Sequence, residues 1–357
     1  MRRSVVGMTN YRTTSDDYSG RPVAEDSWPT LKAFRDGGCV SHEKLPLEEG
    51  RRRYTTPAAP LQDADPAMTE YPVEDCRVRV YDPRPSAEQD APTSVILFLH
   101  GGGWALGGFS SHHSLARRLC VRGGLPLVAV DYRLAPEHRY PAAVEDARAA
   151  LRWLVRRADV HGLRVPGVSL AGDSAGGNLA AVLANEATAG TVPGVEPMTL
   201  DAQVLLYPVT DLTDDHMTGG ASYRRITEGF PLTAATMRWF GDLYIDHGPV
   251  RRAADASPMY ADLPAGLPPT FLVSMDNDPL ADDGVGYAAK LAVAGTPLRH
   301  DHLVGYPHGV FTAARAVPTA ERYVNLAADF LAEHADGARS DPRYRQGSCA
   351  PGDARPQ

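Results

Sequence analysis

A handful of short, uninterrupted apolar runs constrains this chain more than any other feature. Ser94-Val-Ile-Leu-Phe-Leu-His100 is the clearest of them. A strand with one wet face alternates apolar and polar residues, whereas a strand covered on both faces has no polar position to fill. Runs of the same kind return at residues 125–130, 168–171, 202–207 and 270–274. Residues 76–81 instead alternate, with the period of a half-buried strand. Helical stretches such as 142–157 and 177–187 lie between the runs. Strand and helix in alternation predict an α/β chain, with a mostly parallel central sheet and helices on both faces.

The chain has 357 residues, 43% of them hydrophobic, enough for one large domain with an ample core. Residues 1–25 are polar and read as disordered, as does the Arg/Asp/Pro/Gly-rich tail at 337–357. Residues 26–70 form a helical segment in which Trp28, Leu31 and Phe34 recur at helical spacing. So small a helical unit cannot bury much surface alone and has to pack on something else. The core spans 71–336 and is interrupted at about 212–258 by an insertion between two strands. An insertion beside the C-terminal ends of strands sits where an open α/β sheet opens its ligand crevice. Together with the N-terminal segment it is expected to form a helical lid.

A net charge of −8 argues against nucleic-acid or anionic-membrane partners, which need a basic face. No apolar run approaches the ~20 residues that span a bilayer. Met1-Arg2-Arg3 is not followed by the apolar stretch of a secretion signal, so a cytoplasmic protein is expected. Cys39, Cys76, Cys120 and Cys349 are scattered without ligand spacing and read as isolated thiols. No cofactor and no metal is expected.

The sharpest chemical signal is Gly172-Asp-Ser174-Ala-Gly176, a G-x-S-x-G pentapeptide between an apolar run and a helical stretch. That strand-turn-helix setting is the one in which the motif presents a nucleophile, because so tight a turn leaves room only for small residues around the serine. The following helix directs its positive N-terminus at the same point. Upstream, His100-Gly-Gly-Gly-Trp104 directly follows the most apolar run. Consecutive glycines let backbone N–H groups converge, as an oxyanion requires.

A serine nucleophile needs a base and an acid, expected in the order Ser, Asp/Glu, His. His308 lies in a turn-rich loop after the candidate strand 298–304, whereas His300 and His302 fall within that strand. His112 and His113 are adjacent and point different ways. Asp276, Asp278, Asp282 and Asp283 all follow the run 270–275. Asp282 and Asp283 read as caps of a helix at 285–293, and spacing leaves Asp276 and Asp278 nearly tied. Ser41-His-Glu-Lys44 matches the S-x-x-K pattern of β-lactamase-like esterases, but without its companion motifs it reads as coincidence.

His100-Gly-Gly-Gly-Trp104, Asp131-Tyr-Arg-Leu-Ala-Pro-Glu-His138, Gly172-Asp-Ser-Ala-Gly-Gly177, Asp278-Pro-Leu-Ala-Asp282 and His308-Gly-Val-Phe311 together resemble the hormone-sensitive-lipase family of bacterial esterases. The resemblance runs from about Val78 to Phe330 and implies an α/β-hydrolase fold. It implies Asp278 as the acid of the triad and the N–H groups of Gly102, Gly103 and Ala175 as oxyanion donors. It gives Asp131, Arg133 and Glu137 a bracing role. It also implies a lid built from the N-terminal segment and the insertion. Two departures stand out: an unusually acidic Met275-Asp-Asn-Asp-Pro loop, and an N-terminal segment that matches poorly before about Pro46.

The expected function is a carboxylesterase acting on short to medium acyl esters through an acyl-enzyme, with a small-molecule ester as partner. Trp28, Phe34, Trp104, Tyr207, Tyr223, Trp239 and Phe240 are candidate pocket walls. Ser174, Asp278 and His308 also fit an acyltransferase, or a deacetylase or lactonase of a specialised metabolite. A small-molecule receptor on the same fold is the non-enzymatic alternative. A homodimer is left open.

Overall fold

A computed structural model describes residues 17–54, 65–156, 158, 163–313 and 316–335. The expected disordered tail lies outside these residues, as do residues 1–16 and Cys349. Eight strands form one sheet: β1 (Ala67–Val73), β2 (Cys76–Asp82), β3 (Val95–Leu99), β4 (Leu127–Asp131), β5 (Val168–Asp173), β6 (Gln203–Leu206), β7 (Thr270–Asn277) and β8 (Leu298–Pro307). Their order is β1-β2-β4-β3-β5-β6-β7-β8. The pairs β1–β2 and β2–β4 are antiparallel, and every other pair is parallel. The apolar runs are thus the parallel strands, and the alternating run is the antiparallel β2 near one edge.

Each inner strand feeds two cores at once. Val95, Leu97 and Leu99 of β3 face one side, with α4 (Ala142–Arg156), α5 (Ala175–Ala189) and α9 (Ala281–Val293). Ile96 and Phe98 face the other, against α3 (Phe109–Gly123) and α10 (Pro318–His334). All five β3 side chains are buried, and burying a large apolar side chain contributes roughly 1.5–3 kcal/mol. This two-sided demand is why the strand carries no polar residue.

The insertion between β6 and β7 folds as α6 (Asp214–Gly219), α7 (Ala221–Arg225) and α8 (Ala234–Tyr244). Buried Arg251 ties it together, donating to Asp214 at 2.9 Å and to Asp242 at 2.8 Å. The N-terminal segment supplies α1 (Trp28–Asp36) and α2 (Leu47–Arg53). It packs on the insertion through a small core of Val23, Leu31, Ile226 and Phe230, edged by Trp28 and Phe34. Thr236 at the start of α8 donates to Glu43 at 2.7 Å.

Three expectations differ from the fold. Residues 17–25, part of the expected disordered stretch, are placed, because Ala24 pairs with Gly305 and Arg21 with Asp276. Strand β1 begins at Ala67, inside the stretch assigned to the helical segment, because its backbone completes the antiparallel pair with β2. Asp282 and Asp283 do not cap their own helix, which starts at Ala281. Asp282 accepts from the Ser222 N–H at 2.9 Å, and Asp283 contacts His216 Nε2 at 2.8 Å, so both reach into the insertion. Among the described residues, no helix is long and apolar enough to cross a membrane.

Candidate active site

Four loops meet where the parallel strands end. Ser174 is the first residue after β5, Asp278 the first after β7 and His308 the first after β8, while the glycine loop starts directly after β3. The order of the sheet places these ends side by side. The register sharpens this, because Asn277 pairs with Pro307, so the residues following each emerge as neighbours.

The turn at Ser174 is held by steric necessity. Ser174 has φ 55° and ψ −120°, a conformation that costs a residue bearing a Cβ of order 1–3 kcal/mol. A Cβ on Gly172 would come within 2.2 Å of the Gly176 carbonyl oxygen, and one on Gly176 within 2.0 Å of that of Leu99. Only glycine fits at either position, and the helix α5 starts immediately after the serine.

The three predicted side chains come together. His308 Nε2 lies 3.0 Å from Ser174 Oγ, and His308 Nδ1 lies 2.6 Å from Asp278 Oδ2. Asp278 is fully buried, and its second oxygen accepts from the Leu280 N–H at 2.8 Å, which fixes the carboxylate plane. The Tyr207 ring lies against the imidazole with centroids 4.3 Å apart. A hydroxyl, an imidazole and a buried carboxylate in this sequence of hydrogen bonds can pass the serine proton to the ring and stabilise the resulting cation.

The glycine loop is bolted to the serine turn through Asp173. Its carboxylate accepts from the Gly101 N–H at 2.9 Å and contacts His112 Nε2 at 3.2 Å. Burial pushes this carboxyl up, but the charge and hydrogen bond of His112 and the Gly101 N–H outweigh it and hold Asp173 below the ordinary range. Burial pushes His100 down to about 3, with the nearby His112 charge adding to it, so its ring is neutral. His100 stacks on Tyr132, whose hydroxyl donates to the His100 carbonyl at 2.7 Å. Gly102 and Gly103 adopt φ 122° and 58°. Their N–H groups, and that of Ala175, meet no acceptor among the described residues. A Cβ on Gly103 would lie 2.2 Å from the Phe240 ring.

Asp131, Arg133 and Glu137 are engaged in ion pairs away from Ser174. Asp131 pairs with Arg77, Arg133 with Asp146, and Glu137 with Arg51 of α2. Ser41 donates to Glu43 at 2.5 Å and Lys44 to the Cys39 carbonyl at 3.4 Å, so the two are turned to other partners. His300 and His302 each lie 2.8 Å from the Ser274 hydroxyl, and His113 lies 3.0 Å from the Tyr81 hydroxyl.

A cavity of about 280 Å³ opens over Ser174 and His308. Gly102, Gly103, Phe240, Leu232 and Val317 line it, joined by Leu31, His42 and Tyr54 from the N-terminal segment. Of the aromatic walls expected from the sequence, Phe240 alone is among the lining residues. Trp104 is stacked on Tyr244 with centroids 4.3 Å apart and is fully buried behind the loop. Tyr207 backs His308 from below, Tyr223 packs edge-on against His216, and Trp239 leans on the outer side of Phe240. Trp28 and Phe34 edge the small core instead. His42, Tyr54 and Leu31 carried no signal of this role, because docking of a distant segment brings them in. Burial holds the His42 imidazole below its ordinary value, against the nearby Glu43 charge.

A larger groove of about 870 Å³ lies away from this site, beside β1, α3 and α10. Its arginines are paired with acids: Arg84 with Asp82, Arg118 with Glu321 and Arg122 with Asp329. Among the described residues, no group of three or more His, Cys, Asp or Glu is placed to hold a metal ion.

Residues 96–312 match the alpha/beta hydrolase fold family, and the chain belongs to it, in the hormone-sensitive-lipase-like branch. Its relatives make it a carboxylic ester hydrolase. Ethyl acetate hydrolase of Pseudomonas putida is 31% identical over 313 residues, covering 85% of this chain and 96% of that protein. Carboxylesterase NlhH of Mycobacterium tuberculosis is 38% identical over 250 residues, covering 69% of this chain and 74% of its own. Among solved structures, a thermostable esterase from Pseudomonas putida superposes with a TM-score of 0.77 at 30% identity, over 88% of this chain and 98% of that one. The carboxylesterase EstE1, cloned from a metagenomic library, gives 0.73 at 33% identity, over 83% and 99%.

Proposed function

We propose that this esterase hydrolyses small, uncharged esters through an acyl-enzyme formed on Ser174. The observation that carries the reading is the unbroken line from Ser174 Oγ through His308 to the buried Asp278. Ser174 attacks the ester carbonyl as His308 takes its proton, and Asp278 stabilises the imidazolium. The N–H groups of Gly102, Gly103 and Ala175 hold the oxyanion; removing one such donor typically costs about 3 kcal/mol. His308 then returns the proton to the leaving alcohol, and water activated by the same imidazole frees the acid. The insertion and the N-terminal segment act as the lid that closes the pocket.

Size supports a small substrate. A volume of about 280 Å³ falls at the lower edge of the roughly 300–1,000 Å³ typical of drug-sized ligands, and the walls are mostly apolar. The relative named for ethyl acetate points the same way. The test is a p-nitrophenyl ester series from acetyl to palmitoyl, with Ser174→Ala beside the native protein. The expected result is highest kcat/KM at acetyl to butyryl and a loss of about 10⁶ in kcat for Ser174→Ala. Residual activity above about a tenth in that variant would overturn the reading.

A further inference from the structure

Strands β7 and β8 pair regularly from Thr270↔Leu298 to Met275↔Leu303, and the next pair is Asn277↔Pro307. One residue of β7, Asp276, thus stands against three of β8, Val304 to Tyr306. This irregularity lies immediately before Asp278 and His308, so their spacing depends on whatever holds the bulged stretch. The ladder itself leaves it slack.

Residues 21–26 occupy that slack. The Arg21 guanidinium pairs with Asp276, and the Asn277 side-chain amide donates to the Pro22 carbonyl at 3.0 Å. The Ala24 N–H donates to the Gly305 carbonyl at 2.9 Å. The Tyr306 hydroxyl donates to Asp26 at 2.6 Å, and the second Asp26 oxygen accepts from the Thr319 N–H at 2.8 Å, tying the base loop to α10. Both strands therefore bond to one short segment within three residues of Asp278 or His308. The fit is also steric: Gly305 has φ 85°, and a Cβ there would stand 2.8 Å from the Ala24 nitrogen. Asp276 is further held by Arg225 of the insertion, whose guanidinium donates to its carbonyl at 2.8 Å. The acidic loop that departs from the family pattern thereby acquires a purpose, since its extra carboxylate receives the Arg21 guanidinium.

We propose that residues 21–26 form a clasp across the bulged ends of β7 and β8, with Arg21 and Asp26 as positioning residues that set the Asp278–His308 spacing. Neither side chain touches the cavity. The proposal rests on the triad reading above. It concerns acylation rate rather than substrate affinity, because small displacements of an aligned base are costly; a shift of about 1 Å can cost on the order of a hundredfold.

The experiment measures kcat and KM for p-nitrophenyl acetate, and the rate of fluorophosphonate labelling at Ser174, in Arg21→Ala/Asp26→Asn and in Arg21→Lys. The double variant is expected to lose about tenfold to a hundredfold in kcat and in labelling rate, with KM within about threefold of native. Arg21→Lys, which keeps the cation, is expected to retain at least about a third of native kcat. A double variant with native kcat and labelling rate but a lower Tm overturns the clasp, as does a loss confined to KM. Should the double variant fail to fold, Tyr306→Phe is read in its place, with about a threefold fall in kcat expected and native kcat overturning the proposal. Ser174→Ala separates the two readings. If it stays active, the triad reading has failed; if it is dead and the clasp variants keep native rates, the clasp alone has failed.

Discussion

The sheet end that carries Ser174 and the layer that covers it are built by different forces. Around Ser174, position is enforced by backbone collision and apolar burial: Gly172 and Gly176 admit no side chain, and β3 and β5 are buried throughout. Among the described residues the covering layer has one small apolar core of its own, and Met217, Tyr223, Met237, Phe240 and Tyr244 of the insertion reach into the main core. It is also fastened by side-chain bonds across long stretches of sequence, such as Arg51 to Glu137, Thr236 to Glu43 and His216 to Asp283. The first construction leaves no room to shift at the serine turn. The second adds separable links, each worth a small amount, to its apolar packing, and it shapes the space above the serine.

The contrast is open to test by striking each region where its own force acts. The largest effect belongs to the sheet end. Asp278→Asn preserves shape but disturbs the imidazole's tautomer and charge, and kcat should fall by about 10⁴ with Tm nearly unchanged. Steady-state kinetics beside differential scanning calorimetry checks both halves. Next is Gly176→Ala, which drives a methyl into the Leu99 carbonyl and should cost about 3 kcal/mol or more. Urea denaturation measures it, and a change below about 1 kcal/mol would mean that the turn has room to relax. In the covering layer, Arg251→Ala removes the buried guanidinium that joins Asp214, Asp242 and the Ile245 carbonyl, and should cost about 2 kcal/mol. Hydrogen exchange should show the loosening confined to residues 212–258, with β3 and β5 still protected.

The smallest effect concerns one fastening alone. Burial pushes His216 down, but its hydrogen bond to Asp283 and the charges of Asp283, Asp211 and Asp282 raise it to about 9 from the ordinary 6.5. A group raised on folding stabilises fully below its unfolded value and loses that contribution as pH climbs through its folded one. Stability should therefore decline by on the order of 1–2 kcal/mol between pH 6.5 and 9, and His216→Asn should flatten the decline. Chemical denaturation at several pH values reads the slope. An unchanged slope in the variant would remove this link from the account of the covering layer.

The same division explains what was readable in the chain. The parallel strands and the serine turn are written locally, because burial on two faces and a glycine-only turn leave direct marks on composition. Asp278 could not be told from Asp276 by spacing. The structure separates them by register: Asp278 follows the Asn277–Pro307 pair, whereas Asp276 faces the bulge and Arg21. The cavity wall was barely legible. Aromatic residues are the natural candidates, yet Trp104, Tyr207 and Tyr223 make ring contacts outside the cavity lining, while His42 and Tyr54 reach it beside long-range fastenings, Glu43 to Thr236 and Arg51 to Glu137. No local pattern announces an ion pair between residues 51 and 137.

Asp173 carries one more implication. Because the carboxylate of the residue before Ser174 grips the backbone of Gly101, the serine turn and the glycine loop cannot drift independently. A disturbance at either end is transmitted whole to the other. Variation in this esterase therefore has little freedom along the floor of the cleft, and new substrate preferences should accumulate in its roof.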